Sequence, residues 1–196
     1  AGAFTVPMPA YAGPLLLVAT SGAFIDPASG TSTPLDGAEL TTALPEHRSG
    51  SKVAGLQLTP VSTWAVALAA HHARAEGVPA RDALATAFEH LNAHLGALDW
   101  RNVAPADLTA PGVATLGPEA RAGLVLAGLS FRARLAAERA GTTASTATIS
   151  SLLTADALDG TFDGVGPSGP LSLLGAPLGP FALRLHLAQG LAAFLA

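Results

Sequence analysis

His90 and His94 are the first candidates for chemistry, because they stand four residues apart in a segment with helical patterning. This spacing places two imidazoles on one side of a helix, where both can bind one zinc ion. The glutamate of the segment, Glu89, precedes the first histidine, so the order is not the His-Glu-x-x-His of zinc proteases. A third ligand would have to come from His71 or His72 on another helix. We therefore favour a solvated helix face over a metal site for this pair.

Asp156, Asp159 and Asp163 form a second candidate site, since they fall within a short stretch and glycine follows two of them. Carboxylates on such a loop can gather around Ca²⁺. The spacing does not fit an EF-hand, whose last ligand position would be Pro170 instead of glutamate. Asp-Gly pairs are also typical of tight turns in which the aspartate binds its own backbone. The sequence favours turns and leaves calcium as the alternative, and it predicts no other cofactor.

Two further motifs match known catalytic patterns in their letters alone. Ser49-x-x-Lys52 has the spacing of serine–lysine acylases, but it lies in a Gly-containing loop without the accompanying motifs. Gly164, Gly166 and Gly169 match the dinucleotide fingerprint, yet prolines interrupt them and no helix follows. The chain has no cysteine, which excludes thiolate nucleophiles, thiolate metal ligands and disulfides. These features predict that the protein is not an enzyme.

Composition limits the setting and the partners. The chain has 196 residues, of which 49% are hydrophobic and 12% charged, with a formal net charge of −4. This length and apolar content allow one domain with a real core. No basic stripe is present, which argues against nucleic acid as a partner. No apolar run approaches the ~20 residues that a membrane-spanning helix needs. The chain begins with alanine, which suggests a mature or excised segment.

The segment Leu56–Ala75 organises the predicted fold. Thr59 is a good helix N-cap, Pro60 suits the first helical position, and apolar residues recur at helical spacing after it. Further helices are predicted over residues 80–95, 118–140, 148–155 and 181–195. The sequence therefore predicts a mainly α protein with about five helices and a small N-terminal antiparallel β part, α+β overall. Residues 1–58 would be the β-rich part, at the end of an upstream β-domain, and 59–196 the helical domain.

The β part is predicted from short apolar segments separated by Pro and Gly. Phe4–Val6, Leu15–Thr20 and Val53–Leu58 read as strands, and Glu39–Leu44 as a strand or one helical turn. Four short strands would form one small antiparallel sheet. In the helical part, Arg132 belongs to the predicted solvated face of the long helix. Residues 156–180 read as a Gly- and Pro-rich loop.

Three segments taken together resemble a helical module of bacterial secreted proteins and surface lipoproteins. They are Gly13–Asp26, Leu58–Ala65 and Ala157–Gly164, which stand in the order of the pattern Gly-Pro-x-Leu, Thr-Pro-x-x-Thr and Asp-Gly-x-x-Asp-Gly. Phe24 stands where that family often has tyrosine, and the Thr-Pro segment differs in core-type residues. In that family an Ig-like or carboxypeptidase-regulatory-like β-domain precedes the module. The resemblance implies a cell-surface or envelope location within a longer polypeptide, and it supplies no catalytic residues.

We expect a non-enzymatic structural or interaction module of a bacterial cell-surface or extracellular protein. Its partners would be other proteins or the remainder of the same polypeptide, with a homo-oligomer as a further option. The first alternative is a calcium- or zinc-binding module or a metal-dependent enzyme that uses the histidine pair or the aspartate loop. The second alternative is a subunit of a surface filament or sheath, because few charges and much apolar surface suit extensive subunit contacts.

Overall fold

Five helices dominate the computed structural model, which describes residues 4–35, 37–110, 117–180 and 182–196. The helices are α1 (Pro60–Ala75), α2 (Ala80–Leu95), α3 (Pro118–Ala140), α4 (Thr146–Ala157) and α5 (Ala182–Leu195). Small antiparallel sheets accompany them, which confirms the prediction of a helix-dominated α+β fold. Phe181, the predicted first residue of the last helix, lies outside the described residues. None of these helices is both long and apolar enough to cross a bilayer.

The strands of the described ranges form two-stranded antiparallel sheets. In the N-terminal part, β1 (Gly13–Ala19) pairs with β4 (Leu40–His47), and β2 (Ala23–Ile25) pairs with β3 (Ser32–Pro34). Of the predicted four-stranded sheet the structure contains the β1–β4 pair, and the β2–β3 hairpin was not predicted. The loop after α4 contains two short hairpins, β5 (Val165–Gly166) with β6 (Gly169–Pro170) and β7 (Ser172–Leu173) with β8 (Ala176–Pro177).

Two of the predicted strands are wrong. Phe4–Val6 and Val53–Leu58 have no strand structure, although their sequences alternate. A strand requires a partner with free backbone groups, and helix α1 occupies the outer edge of β4. The amide of Thr41 donates to Thr63 Oγ1 at 2.8 Å, and the Thr41 carbonyl accepts from Ser62 Oγ at 2.7 Å. With these groups engaged, Val53–Leu58 cannot pair with β4 at this point.

Helix α1 begins where the sequence predicts it. Thr59 Oγ1 accepts from the Ser62 amide at 3.1 Å, and Ser62 Oγ accepts from the Thr59 amide at 2.9 Å, which completes a capping box. Trp64 of this helix is fully buried, and its indole nitrogen donates to the Ser150 carbonyl of α4 at 3.2 Å. Helix α1 is thereby fixed against α4 in the core of the protein.

Hydrogen bonds fasten the β2–β3 hairpin to the helices. The amide of Ala28 donates to Ser130 Oγ at 2.8 Å, and Arg134 Nη1 donates to the Ala28 carbonyl at 3.1 Å. Both partners belong to α3, so residues before and after position 58 share an interface. The division of the chain into 1–58 and 59–196 stays a prediction.

Candidate functional site

His90 and His94 pack against an aromatic side chain. The ring centroids of the two histidines lie 5.2 Å apart. The Phe162 ring centroid lies 6.2 Å from that of His90 and 5.5 Å from that of His94. Both histidines are half-buried, so the prediction of a solvated face is wrong. Burial, more than the neighbouring positive charges, lowers the pKa of both imidazoles. Low basicity suits a metal ligand, but it equally suits a neutral ring in an aromatic cluster.

The histidines expected to supply a third ligand have other contacts. His71 Nδ1 lies 3.3 Å from the Leu158 carbonyl oxygen, and His72 Nδ1 lies 3.0 Å from the Glu76 carboxylate. Across the ranges that the structure describes, no group of three or more His, Asp or Glu side chains is placed to hold a metal ion. The structure therefore brings His90 and His94 together without a third ligand from the described residues, and zinc binding stays a prediction.

The three aspartates of the predicted calcium loop each bind nearby backbone. Asp159 Oδ1 accepts from the amide and hydroxyl of Thr161 at 3.2 Å and 3.0 Å, and Asp163 Oδ1 accepts from the Val165 amide at 2.9 Å. Both are turns of the kind that the Asp-Gly pairs indicate. Asp156 Oδ1 accepts from the Gly164 amide at 2.9 Å across the loop. These hydrogen bonds stabilise the conformation of the loop. Among the described residues, the three carboxylates do not form a group that could hold a metal ion.

Asp156 differs from the other two aspartates because it is fully buried. Its second oxygen, Oδ2, has no hydrogen-bond partner among the described residues. Burial raises the pKa of this carboxyl from its ordinary value of 3.8 to about 6, against the opposing effect of the Gly164 amide. A carboxyl of this kind can hold a proton near neutral pH.

The remaining motifs do not form the sites that their letters suggest. Ser49 and Lys52 are exposed in the segment between β4 and α1, and neither lies at a helix N-terminus. Gly166 pairs with Gly169 in the β5–β6 hairpin. That segment leads into another hairpin instead of a helix, so it cannot direct helix-terminal amides at a pyrophosphate.

Sequence analysis missed a buried polar pair on α3 and α5. Arg132 Nε donates to His186 Nδ1 at 2.8 Å, and both side chains are buried. Burial, followed by the Arg132 charge, lowers the pKa of His186 to about 4. The prediction that Arg132 is solvated is wrong, because α3 presents it to α5 and the β7–β8 hairpin. A cavity of about 110 Å³ lies beside it.

A second cavity, of about 190 Å³, lies between the β part and the helices. Its walls are mostly apolar and include Phe24, Ile25 and Leu35 from the β2–β3 side and Leu126 from α3. Ser150 and Thr146 of α4 are among the few polar groups on its walls. This cavity lies between the β2–β3 hairpin and helices α3 and α4, and its lining suits a small apolar group.

The exposed face of β1 is the last candidate site. Leu16 and Val18 keep 59% and 45% of their surface in water, whereas the side chains of Leu15 and Leu17 on the other face are half-buried. Exposed apolar residues also lie along the preceding segment, at Phe4 and elsewhere. Large apolar side chains grouped in this way are typical of contact surfaces.

No protein-family model, no curated protein and no solved structure matches this chain.

Proposed function

We propose that this chain is a non-enzymatic structural and interaction module of a bacterial cell-surface or extracellular protein, and that its copies join through strand β1. The observation that carries the proposal is the geometry of the β1–β4 ribbon, in which α1 occupies one edge and no described strand pairs with the other.

Backbone direction identifies the open edge. Val18 lies opposite Thr41 in the antiparallel register, and the Thr41 amide and carbonyl both bond to side chains of α1. The backbone groups of Thr41 therefore point away from β1, so this is a non-hydrogen-bonded pair. In such a pair the opposite residue also turns its backbone groups outward, so Val18 presents its N–H and C=O to the outer edge of β1. Leu16, opposite Ala43, does the same.

From Leu15 onward, this edge lacks the charged residues, prolines and bulges by which proteins usually protect strand edges. The sequence of β1, Gly13–Ala19, contains no charged residue, and the described chain places no further strand beside it. Natural edge strands commonly carry lysine, a twist-inducing bulge or a cover. Here such features lie only at the start of the strand: the register is irregular between Gly13 and Leu15, and the carbonyl of Pro14 accepts from the Tyr11 hydroxyl at 3.0 Å. The stretch that follows is open for strand addition.

The occupant to which we commit is β1 of a second copy. Two identical open edges are self-complementary about a two-fold axis, and this pairing would make a four-stranded sheet of β4, β1 and their symmetry mates. It would bring the exposed Leu16 and Val18 of one copy beside those of the other. A two-stranded ribbon is marginal by itself, and a four-stranded sheet is not.

Sedimentation velocity from micromolar to millimolar concentration tests the proposal. The wild-type protein is expected to form a concentration-dependent dimer, weak because one added strand pair buries little surface. Val18→Lys places a charge on the edge and is expected to leave a monomer. Leu185→Lys is the matched control, since Leu185 is an exposed apolar residue on α5 and should not affect the dimer.

Two results would contradict the proposal. The first is a wild-type monomer over the whole concentration range. The second is an association that Val18→Lys leaves intact, which would place the contact on another surface. A larger, open-ended assembly that Val18→Lys abolishes would retain the β1 contact and favour the filament alternative.

A further inference from the structure

Arg132 is a buried cation without a described counter-charge. Only 5% of its surface is exposed, and none of the described Asp or Glu side chains lies within salt-bridge distance of it. A guanidinium removed from water needs a compensating partner to be tolerated. Its Nε–H is satisfied by His186, but that contact supplies no negative charge.

His186 cannot neutralise the arginine, since its Nδ1 accepts the hydrogen bond from Nε and the ring is therefore neutral. The low pKa of His186 keeps it neutral above about pH 4. The imidazole orients the guanidinium and fixes its plane. The two Nη groups of Arg132 form no hydrogen bond with the described residues.

The cavity beside Arg132 combines positive charge with apolar walls. Arg139, two turns further along α3, lines it too, and it forms no salt bridge with the described Asp and Glu residues. The other lining residues are apolar and belong to α3 and the β7–β8 hairpin: Ala136, Ala140, Leu173, Leu174 and Ala176. Two arginines thus line a small, otherwise apolar space of about 110 Å³.

The turn at the wall of this cavity holds an unfavourable conformation. Leu174 has a φ of 51°, and among the described residues it is the only non-glycine with a positive φ. A leucine in the left-handed region costs free energy, and such positions cluster at ligand sites. Its neighbour Gly175 adopts a φ of 85°, so the two residues make the tight turn of the β7–β8 hairpin. That turn places Leu174 at the cavity wall.

We propose that this cavity binds a small monocarboxylate with a short aliphatic chain. A planar carboxylate accepts two parallel hydrogen bonds from an arginine fork, and it would supply the charge that Arg132 lacks. The apolar walls and the volume of about 110 Å³ suit an aliphatic chain of a few carbons. Inorganic phosphate is a poorer match, because it has no apolar part and gives up more hydration. No residue of β1 lines the cavity, so this proposal can be tested independently of the proposed self-association.

Thermal unfolding of the full chain, titrated with butyrate at constant ionic strength, tests this proposal. Binding to the native state alone raises Tm in a saturable manner. Butyrate is expected to do so, whereas chloride and phosphate at equal ionic strength are not. The ring resonances of His186 should shift with the same dissociation constant, since His186 bonds directly to Arg132.

Variants separate the site from general charge effects. Arg139→Gln removes one guanidinium from an exposed position and is expected to weaken butyrate binding roughly tenfold. Arg81→Gln is the matched control, because Arg81 is an exposed arginine on α2 that does not line the cavity. Arg132→Met should abolish binding, and Arg139→Gln keeps the test valid if that variant fails to fold.

The absence of a saturable response to butyrate would overturn the proposal. So would an equal response to phosphate, which would mean that the apolar walls play no part. An equal loss of affinity in Arg139→Gln and Arg81→Gln would show that butyrate responds to net charge and not to this cavity.

Discussion

The carboxylate of Asp26, just after β2, accepts two hydrogen bonds from Thr146, the first residue of α4. Asp26 Oδ2 lies 3.1 Å from the Thr146 amide nitrogen and 3.0 Å from its hydroxyl. Asp26 Oδ1 accepts from the Ala28 amide at 3.0 Å and from the hydroxyl of Ser130 on α3. A negative charge at a helix N-terminus interacts favourably with the helix dipole. One buried side chain therefore joins the β2–β3 hairpin to two helices.

Asp26→Ala is expected to destabilise the protein by about 3 kcal/mol, because it removes the acceptor of the buried Thr146 amide and of the buried Ser130 hydroxyl. Chemical denaturation followed by circular dichroism measures the change. Asp163→Ala is the control, since Asp163 is exposed and bonds to a single described amide, that of Val165. Its cost should stay below about 1 kcal/mol. Equal costs for the two variants would show that Asp26 does not hold the layers together.

Helices α3 and α5 cross at a pair of glycines, Gly128 and Gly190. A Cβ placed on Gly190 would overlap the Gly128 carbonyl oxygen, and it would lie 3.1 Å from the backbone nitrogen of Arg132. Gly190→Ala is therefore expected to separate the helices and to cost about 3 kcal/mol or more, at the upper end of overpacking effects. Thermal melts compare it with Gln189→Ala at the neighbouring exposed position, where a change within about 0.5 kcal/mol is expected. A Gly190→Ala protein as stable as wild type would contradict this close crossing.

The helices were predictable because their signals are local. Thr59 and Pro60 mark the start of α1, and the bounds of α3 match the predicted 118–140, since apolar periodicity and capping act within a few residues. Strands depend on distant partners. Most of Leu15–Thr20 pairs with β4 as part of β1. Val53–Leu58 has the same kind of alternation, but α1 already binds the other edge of β4. Nothing within Val53–Leu58 itself distinguishes these outcomes.

The buried polar groups were the hardest part to predict. The charge of Arg132 predicts a solvated position, yet Arg132 lies four residues from both Gly128 and Ala136, which are buried. This spacing puts it on the packed face of α3 and was a usable signal. No comparable signal marked His186, because its burial depends on α3 and on the hairpin before α5. The aspartate loop was assigned correctly to turns, since Asx turns are local.

The unpaired oxygen of Asp156 makes stability depend on pH. Its pKa, raised by burial to about 6, lies above the ordinary value of 3.8, so the native state binds more protons than the unfolded state between these values. The contribution of this carboxyl to the free energy of unfolding is therefore fully present below about pH 4 and is lost as pH rises through about 6. Asp156→Asn removes the buried charge. The difference in free energy of unfolding between this variant and wild type should therefore change in favour of the variant by about 2 kcal/mol from about pH 4 to about pH 7. Urea denaturation at both pH values measures this gain, with Asp159→Asn as a control at a position that is not fully buried. If the difference between Asp156→Asn and wild type is the same at both pH values, the carboxyl is ionised in the native state throughout and the explanation is wrong.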